Sequence, residues 1–173
     1  MPRNIEIKAR VADRAALEQR AATLADEGPV QIFQDDTFFV CPEGRLKLRD
    51  FGDGRGELIF YRRADATGPK TSFYRIAPTA EPAALRETLG LALGERGRVI
   101  KHRTLYLAGR TRIHLDRVEG LGEFMELEVV LADGEDEATG QKEADELMEQ
   151  LGIATDQLVE GAYLDLLAKL KSR

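Results

Sequence analysis

The chain has 173 residues, 43% of them hydrophobic and 32% charged, which fits one domain spanning 1–173 with a core of its own. A net charge of −6, from 25 Lys+Arg against 31 Asp+Glu, and the absence of Trp argue against a nucleic-acid partner. Cys41 is the only cysteine, which excludes an internal disulfide and a cysteine-based metal site. No apolar run approaches the roughly 20 residues of a membrane span, and no charged-then-apolar leader precedes the first strand, so a cytoplasmic protein without a membrane partner is expected.

Residues 4–11 alternate aliphatic and charged side chains, which predicts a strand with Glu6, Lys8 and Arg10 on one face and Ile5, Ile7, Ala9 and Val11 on the other. Asp13 is placed to cap a helix running to about Thr23, which Gly28-Pro29 closes. Strands follow at 34–40, 45–51, 57–63 and 71–76, separated by Pro42-Glu43-Gly44, by the glycine-rich segment 52–56 and by Ala66-Thr67-Gly68-Pro69. Pro82 opens a helix that carries Leu85, Leu89 and Leu91 and ends before Gly94. Three more strands are predicted at 98–107, 111–118 and 123–131, and two helices at 136–151 and 162–171. Eight strands connected by hairpins, with helices between and after them, read as an α+β protein. Closure into an eight-stranded antiparallel barrel would remove the exposed edges.

The charged faces carry the functional signal. Arg45, Lys47 and Arg49 share one face of their strand, as do Lys101 and Arg103, and Arg112, His114 and Asp116. Arg63 lies with Tyr61 and Ile59, and Lys70 with Ser72 opens the next strand. Glu126 and Glu128 line one face near the end of the sheet, as Glu6 does at its start. Bases thus crowd the middle strands and carboxylates the outer ones, although like charges on paired strands repel. Such segregation implies a counter-ion: a polyphosphate for the cations and a hard divalent cation for the carboxylates. Alternation alone is equally compatible with a solvated face. His114 and His102 read as ordinary strand residues, and the 52–56 glycine segment as a hairpin without Walker spacing.

Asn4-Ile5-Glu6-Ile7-Lys8 resembles the E-x-E-x-K signature of the CYTH superfamily, the triphosphate tunnel metalloenzymes that include class IV adenylyl cyclases and thiamine triphosphatases. Leu46-Lys47-Leu48-Arg49, Tyr61-Arg62-Arg63, Gly68-Pro69-Lys70, Lys101-His102-Arg103, Ile113-His114-Leu115-Asp116, Glu126-Leu127-Glu128 and Glu160-Gly161-Ala162-Tyr163 follow in that family's order. The resemblance implies an eight-stranded antiparallel tunnel with inward charges and helices flanking it. It further implies Mg²⁺ or Mn²⁺ on Glu6, Glu126, Glu128 and Asp116, and phosphates on Lys8, Lys47, Arg49, Arg63, Lys101, Arg103, Arg112 and Lys70. Lys8 and Asp116 become the candidate catalytic residues. Asn4 departs from the signature by replacing its first Glu, which removes a charge and a potential base. The expected partner is a triphosphate-bearing small molecule: inorganic triphosphate, ATP or thiamine triphosphate. Triphosphate hydrolysis is favoured, since it needs no base-recognition pocket and none is legible. The alternatives are cyclisation of ATP to cyclic AMP and pyrophosphate, and non-catalytic binding of triphosphate or polyphosphate. Oligomeric state is not legible.

Overall fold

The computed structural model describes residues 2–63 and 67–172. Eight antiparallel strands close into a barrel in the order β1-β5-β4-β3-β2-β6-β7-β8. The strands are β1 (Arg3–Arg10), β2 (Glu27–Phe39), β3 (Arg45–Asp50), β4 (Gly56–Arg63), β5 (Lys70–Thr79), β6 (Glu95–Ala108), β7 (Thr111–Val118) and β8 (Gly122–Val130). Helices α1 (Arg14–Leu24), α2 (Pro82–Leu93), α3 (Glu137–Gln150) and α4 (Tyr163–Lys171) lie around it. No helix among the described residues is long and apolar enough to cross a membrane. The expected α+β barrel with eight strands and flanking helices is therefore what forms. Of the turn expected at 66–69, Ala66 lies outside the described residues.

The apolar stripes of β1, β7 and β8 face outward rather than into the barrel. Ile5, Ile7 and Ala9 of β1 join Ile113 and Leu115 of β7 and Met125, Leu127 and Val129 of β8 under Leu17 and Ala21 of α1 and Ala144 of α3. Most of these side chains are fully buried, so the main hydrophobic core lies between barrel and helices. Helix α3 sits so close that a Cβ on Gly140 would stand 2.5 Å from Leu131 and 2.7 Å from Ile5. The first helix is capped as its sequence implies, Asp13 Oδ1 accepting from the Ala16 amide at 3.1 Å.

One boundary differs from expectation. Helix α1 ends at Leu24, and Gly28-Pro29 lies inside β2, which starts at Glu27 rather than at 34. The pairing of β2 with β6 shifts register between Glu27 and Val30, so the dipeptide marks a bulge. Gly28 has φ +107°, and a Cβ there would come 2.6 Å from the Leu105 carbonyl oxygen, so only glycine fits. Pro29 has no N–H to give the ladder, which the bulge tolerates. Local turn chemistry is thus used within a strand rather than to end a helix.

Candidate active site

With the outer faces of β1, β7 and β8 committed to the helices, the charged positions that alternate with them turn to the barrel interior. The cavity there has a volume of about 310 Å³ and is lined by Glu6, Lys8, Lys47, Arg49, Arg63, Lys101, Arg103, Arg112, Glu126 and Glu128. It is small for a ligand site but within the usual range. Sequence alternation left inside and outside undecided; the packing of α1 and α3 decides it.

The basic wall is organised around Asp36 of β2, a carboxylate only 1% exposed. Arg49 forks onto it at 2.8 and 2.9 Å, Lys47 donates at 3.0 Å and Lys101 at 3.1 Å. The register explains the convergence, because Asp36 pairs with Arg49 across β2–β3 and Phe38 with Lys47. Burial opposes ionisation of Asp36, but Arg49, Lys101 and Lys47 outweigh it and hold the carboxyl well below its usual range. Burial, reinforced by Arg49, lowers Lys47 to about 7 despite Asp36; Lys101 is lowered as well, again mainly by burial. Three cations share one anion, so the wall keeps an excess of positive charge facing the lumen.

The acidic wall is built by β1, β7 and β8. Glu6 pairs with Glu128 and Lys8 with Glu126 across β1–β8, while His114 pairs with Glu126 and Arg112 with Glu128 across β7–β8. His114, Glu126 and Glu128 each place one ligand atom within 4.8 Å of the others, a grouping able to hold a metal ion. Burial and then the neighbouring Glu128 raise Glu6 above the ordinary carboxylate range. Arg63 meets Glu6 at 3.2 Å but does not cancel that repulsion. Burial would raise Glu126 and Glu128 too, yet Lys8 and Arg103 bring the first well below its usual value, and His114 and then Arg112 lower the second.

Three buried atoms on this wall, Asn4 Oδ1, Arg112 Nε and His114 Nδ1, lack hydrogen-bond partners among the described residues. Asn4 Nδ2 donates to Glu128 Oε2 at 2.8 Å, while its Oδ1 accepts nothing. His114 Nδ1 approaches Glu128 Oε1 to 3.0 Å without hydrogen-bond alignment, and burial, helped by Arg103, disfavours protonation of its ring against the pull of Glu128. An imidazole, two carboxylates held below their usual range, a third that resists ionisation and an orphaned amide oxygen together suit a divalent cation such as Mg²⁺ or Mn²⁺. The residues present therefore fit such an ion.

Asp116, expected among the ligands, is fully engaged elsewhere. Arg103 forks onto its two oxygens at 2.7 and 2.8 Å, and Tyr163 Oη donates at 2.8 Å. That hydroxyl belongs to α4, whose start closes one end of the barrel. Lys8 Nζ donates to the Gly161 carbonyl at 3.0 Å, lies 4.1 Å above the Tyr163 ring and stands 3.5 Å from Glu126. Burial lowers Lys8 to about 8 against the pull of Glu126. Lys70 is buried opposite Glu6 on β5.

Sequence reasoning did not single out Asp36, read His114 as an ordinary strand residue and gave Tyr163 no role. The signal for Asp36 was a carboxylate two residues from Phe38 on the same strand face, which means little until β3 is known to lie beside it.

Comparison with known proteins adds the remaining evidence. The CYTH domain profile matches residues 2–163. Among solved structures, the PH1012 protein of Pyrococcus horikoshii superposes with a TM-score of 0.83 at 22% identity, covering 95% of this chain and 99% of that one. A Vibrio parahaemolyticus protein proposed to be an adenylate cyclase gives 0.78 at 17% identity, covering 95% and 97%. The Hippeastrum protein HpAC1, proposed as an adenylyl cyclase and described as having a dominant triphosphatase activity, gives 0.68 at 16% identity, covering 96% and 95%. At these identities the likeness speaks for the fold. No protein with a curated description matches the sequence.

Proposed function

The chain belongs to the CYTH domain family, and on that premise we propose that it is a divalent-metal-dependent triphosphatase whose substrate lies in the barrel between the basic and acidic walls. The observation that carries this reading is the sharing of one carboxylate, Asp36, by Lys47, Arg49 and Lys101 opposite the Glu126, Glu128 and His114 group. A fixed excess of cations suits phosphate oxygens, and an under-neutralised carboxylate group suits the counter-cation.

In this reading Lys47, Arg49 and Lys101 grip one part of the triphosphate. Lys8, Arg63, Arg103 and Arg112 reach the part next to the acidic wall, with Lys70 behind Glu6. Glu126, Glu128 and His114, with Glu6 and the Asn4 amide oxygen, would hold Mg²⁺ or Mn²⁺. Such an ion, when bound, neutralises phosphate charge and polarises an attacking water. Hydrolysis then forms a bond from the water oxygen to the terminal phosphorus and breaks its bond to the bridging oxygen, which leaves with the diphosphate part. Lys8, beside Glu126 and lowered by burial to about 8, would orient that water. Asp116 acts through Arg103 as a positioning residue, since both its oxygens are already taken.

Cyclisation of ATP is the second reading, favoured by the likeness to the Vibrio protein. The dominant triphosphatase activity described for the Hippeastrum protein weighs toward hydrolysis. Incubation with Mg²⁺ or Mn²⁺ and, separately, inorganic triphosphate, ATP and thiamine triphosphate decides the matter. Orthophosphate without cyclic AMP is the expected product; cyclic AMP with equal pyrophosphate would establish the cyclase, and binding without turnover would leave a triphosphate-binding protein.

A further inference from the structure

The acidic wall mixes donor types in a way that bears on which cation it takes. Glu6, Glu126, Glu128 and the Asn4 amide offer oxygen to the cavity, and His114 offers nitrogen. The fold holds that nitrogen in place. His114 pairs with Leu105 on β6 and with Glu126 on β8, both lining the same cavity, and it is only 4% exposed.

The contacts of Glu128 divide between its two oxygens. Oε2 accepts from Asn4 Nδ2 at 2.8 Å and meets Arg112 Nη2 at 3.4 Å. Oε1 faces His114 Nδ1 at 3.0 Å, yet no hydrogen bond aligns there. With the ring proton on Nε2, Nδ1 and Oε1 are two lone-pair donors side by side, an arrangement that repels unless a cation lies against both. Adjacent ligands of an octahedral ion with bonds of about 2.1 Å stand about 3.0 Å apart, the separation found between these two atoms. Glu126 completes the group, its oxygens held loosely at 3.5 Å from Lys8 and 3.5 Å from Arg103.

Imidazole nitrogen is a softer donor than carboxylate or amide oxygen. Mg²⁺ binds hard oxygen and keeps its waters, whereas first-row transition ions, Mn²⁺ among them, accept nitrogen and oxygen together. Asn4, standing where the signature has its first Glu, takes a charged hard ligand from the same wall and moves the balance further in that direction.

Resting on the metal-dependent triphosphatase reading, we propose that His114 sets the choice of cation. Through Nδ1 it ligates the ion together with Glu128 Oε1 and Glu126, and it makes the wall select a first-row transition cation, with Mn²⁺ as the probe, over Mg²⁺.

The test loads the full chain, free of any tag, with Mn²⁺ in the absence of phosphate compounds. Pulsed EPR should show hyperfine coupling from a directly bound nitrogen, and its pattern should change when histidine alone carries heavy nitrogen. The chain has two histidines, and His102 lies exposed on the other face of β6 from Lys101 and Arg103, so the coupling belongs to His114. Titration calorimetry gives the affinities. Wild type should bind Mn²⁺ about tenfold more tightly than Mg²⁺, and His114→Gln should remove about that factor from Mn²⁺ while leaving Mg²⁺ nearly unchanged, the scale on which metal-site residues act. The spectroscopy needs only the wild-type chain, so misfolding of His114→Gln does not shield the proposal. Mn²⁺ bound without nitrogen coupling overturns the role of His114, as does an affinity ratio near one or unmoved in the variant; triphosphate hydrolysis with either ion then leaves the triphosphatase reading standing. Absence of binding and of turnover with both ions overturns both.

Discussion

The two walls of the barrel handle buried charge in opposite ways. On the basic wall, Asp36 is saturated: Arg49 forks onto it and Lys47 and Lys101 complete its shell, so each cation touches a carboxylate although positive charge stays in excess. On the acidic wall Glu6 resists ionisation, Glu6 faces Glu128 across a strand pair, and Asn4 Oδ1 and His114 Nδ1 lack hydrogen bonds. Burying ions demands compensation. One wall carries part of its compensation within the chain, and the other has a His-Glu-Glu grouping that fits a cation from solution. The basic wall should therefore matter to folding and the acidic wall to metal-dependent activity.

That contrast breaks most visibly at the carboxylates. Glu126→Gln and Glu128→Gln should each lower Mn²⁺-dependent turnover by roughly a thousandfold, since a bound cation supplies several kcal/mol of charge stabilisation. Their circular dichroism should stay native, and retained turnover in both variants would remove the metal assignment. Asp36→Asn should act in the opposite sense, leaving three buried cations without their anion and costing about 3 kcal/mol of stability. A thermal melt unchanged from wild type would show that the basic wall does not need its internal anion.

A smaller effect sharpens the comparison at the edge of the acidic wall. Asn4→Glu adds a fourth carboxylate beside Glu6 and Glu128, so the variant should melt lower in the presence of a chelator. It should bind Mn²⁺ about tenfold more tightly, within the 1–2 kcal/mol scale of an added charged contact. Titration calorimetry checks the affinity, and indifference to the substitution would place that position outside the ion's reach.

The smallest effect is a pH dependence on the basic wall. Lys47 titrates at about 7 in the free protein because burial and Arg49 disfavour its charge. A bound anion favours the charged form, so binding at pH 8 draws a proton onto Lys47, and affinity should fall as pH rises above 7. Lys47→Met should flatten that slope once the ligand's own protonation is subtracted, and an equal slope in both proteins would assign the effect elsewhere. For stability without ligand the sign reverses: the unfolded chain holds the proton up to the ordinary lysine value, so the Lys47 contribution grows from pH 7 upward.

Much of the fold was legible because period-two alternation and turn residues are local signals. The alternation over 4–11 and 45–51, the cap at Asp13 and the proline at the start of α2 all survive in the folded chain. The misplacement of Gly28-Pro29 arose because a bulge and a helix stop use the same two residues, and only the pairing of β2 with β6 distinguishes them. At the site, the residue types and their shared faces were readable, and so were most of the lining cations. Asp36 and His114 were not, because a lone carboxylate or imidazole gains its meaning from neighbours on other strands.

By itself, the amino-acid order determined which side chains lie together on each strand, since a strand turns successive residues to opposite faces. It also determined that bases and carboxylates were segregated along the chain. Only the tertiary structure decided that the charged faces turn inward, because α1 and α3 bury the aliphatic faces of β1, β7 and β8 and leave the polar faces nowhere else to lie. Only barrel closure brought β1 beside β8, setting Glu6 against Glu128 across more than a hundred residues of chain.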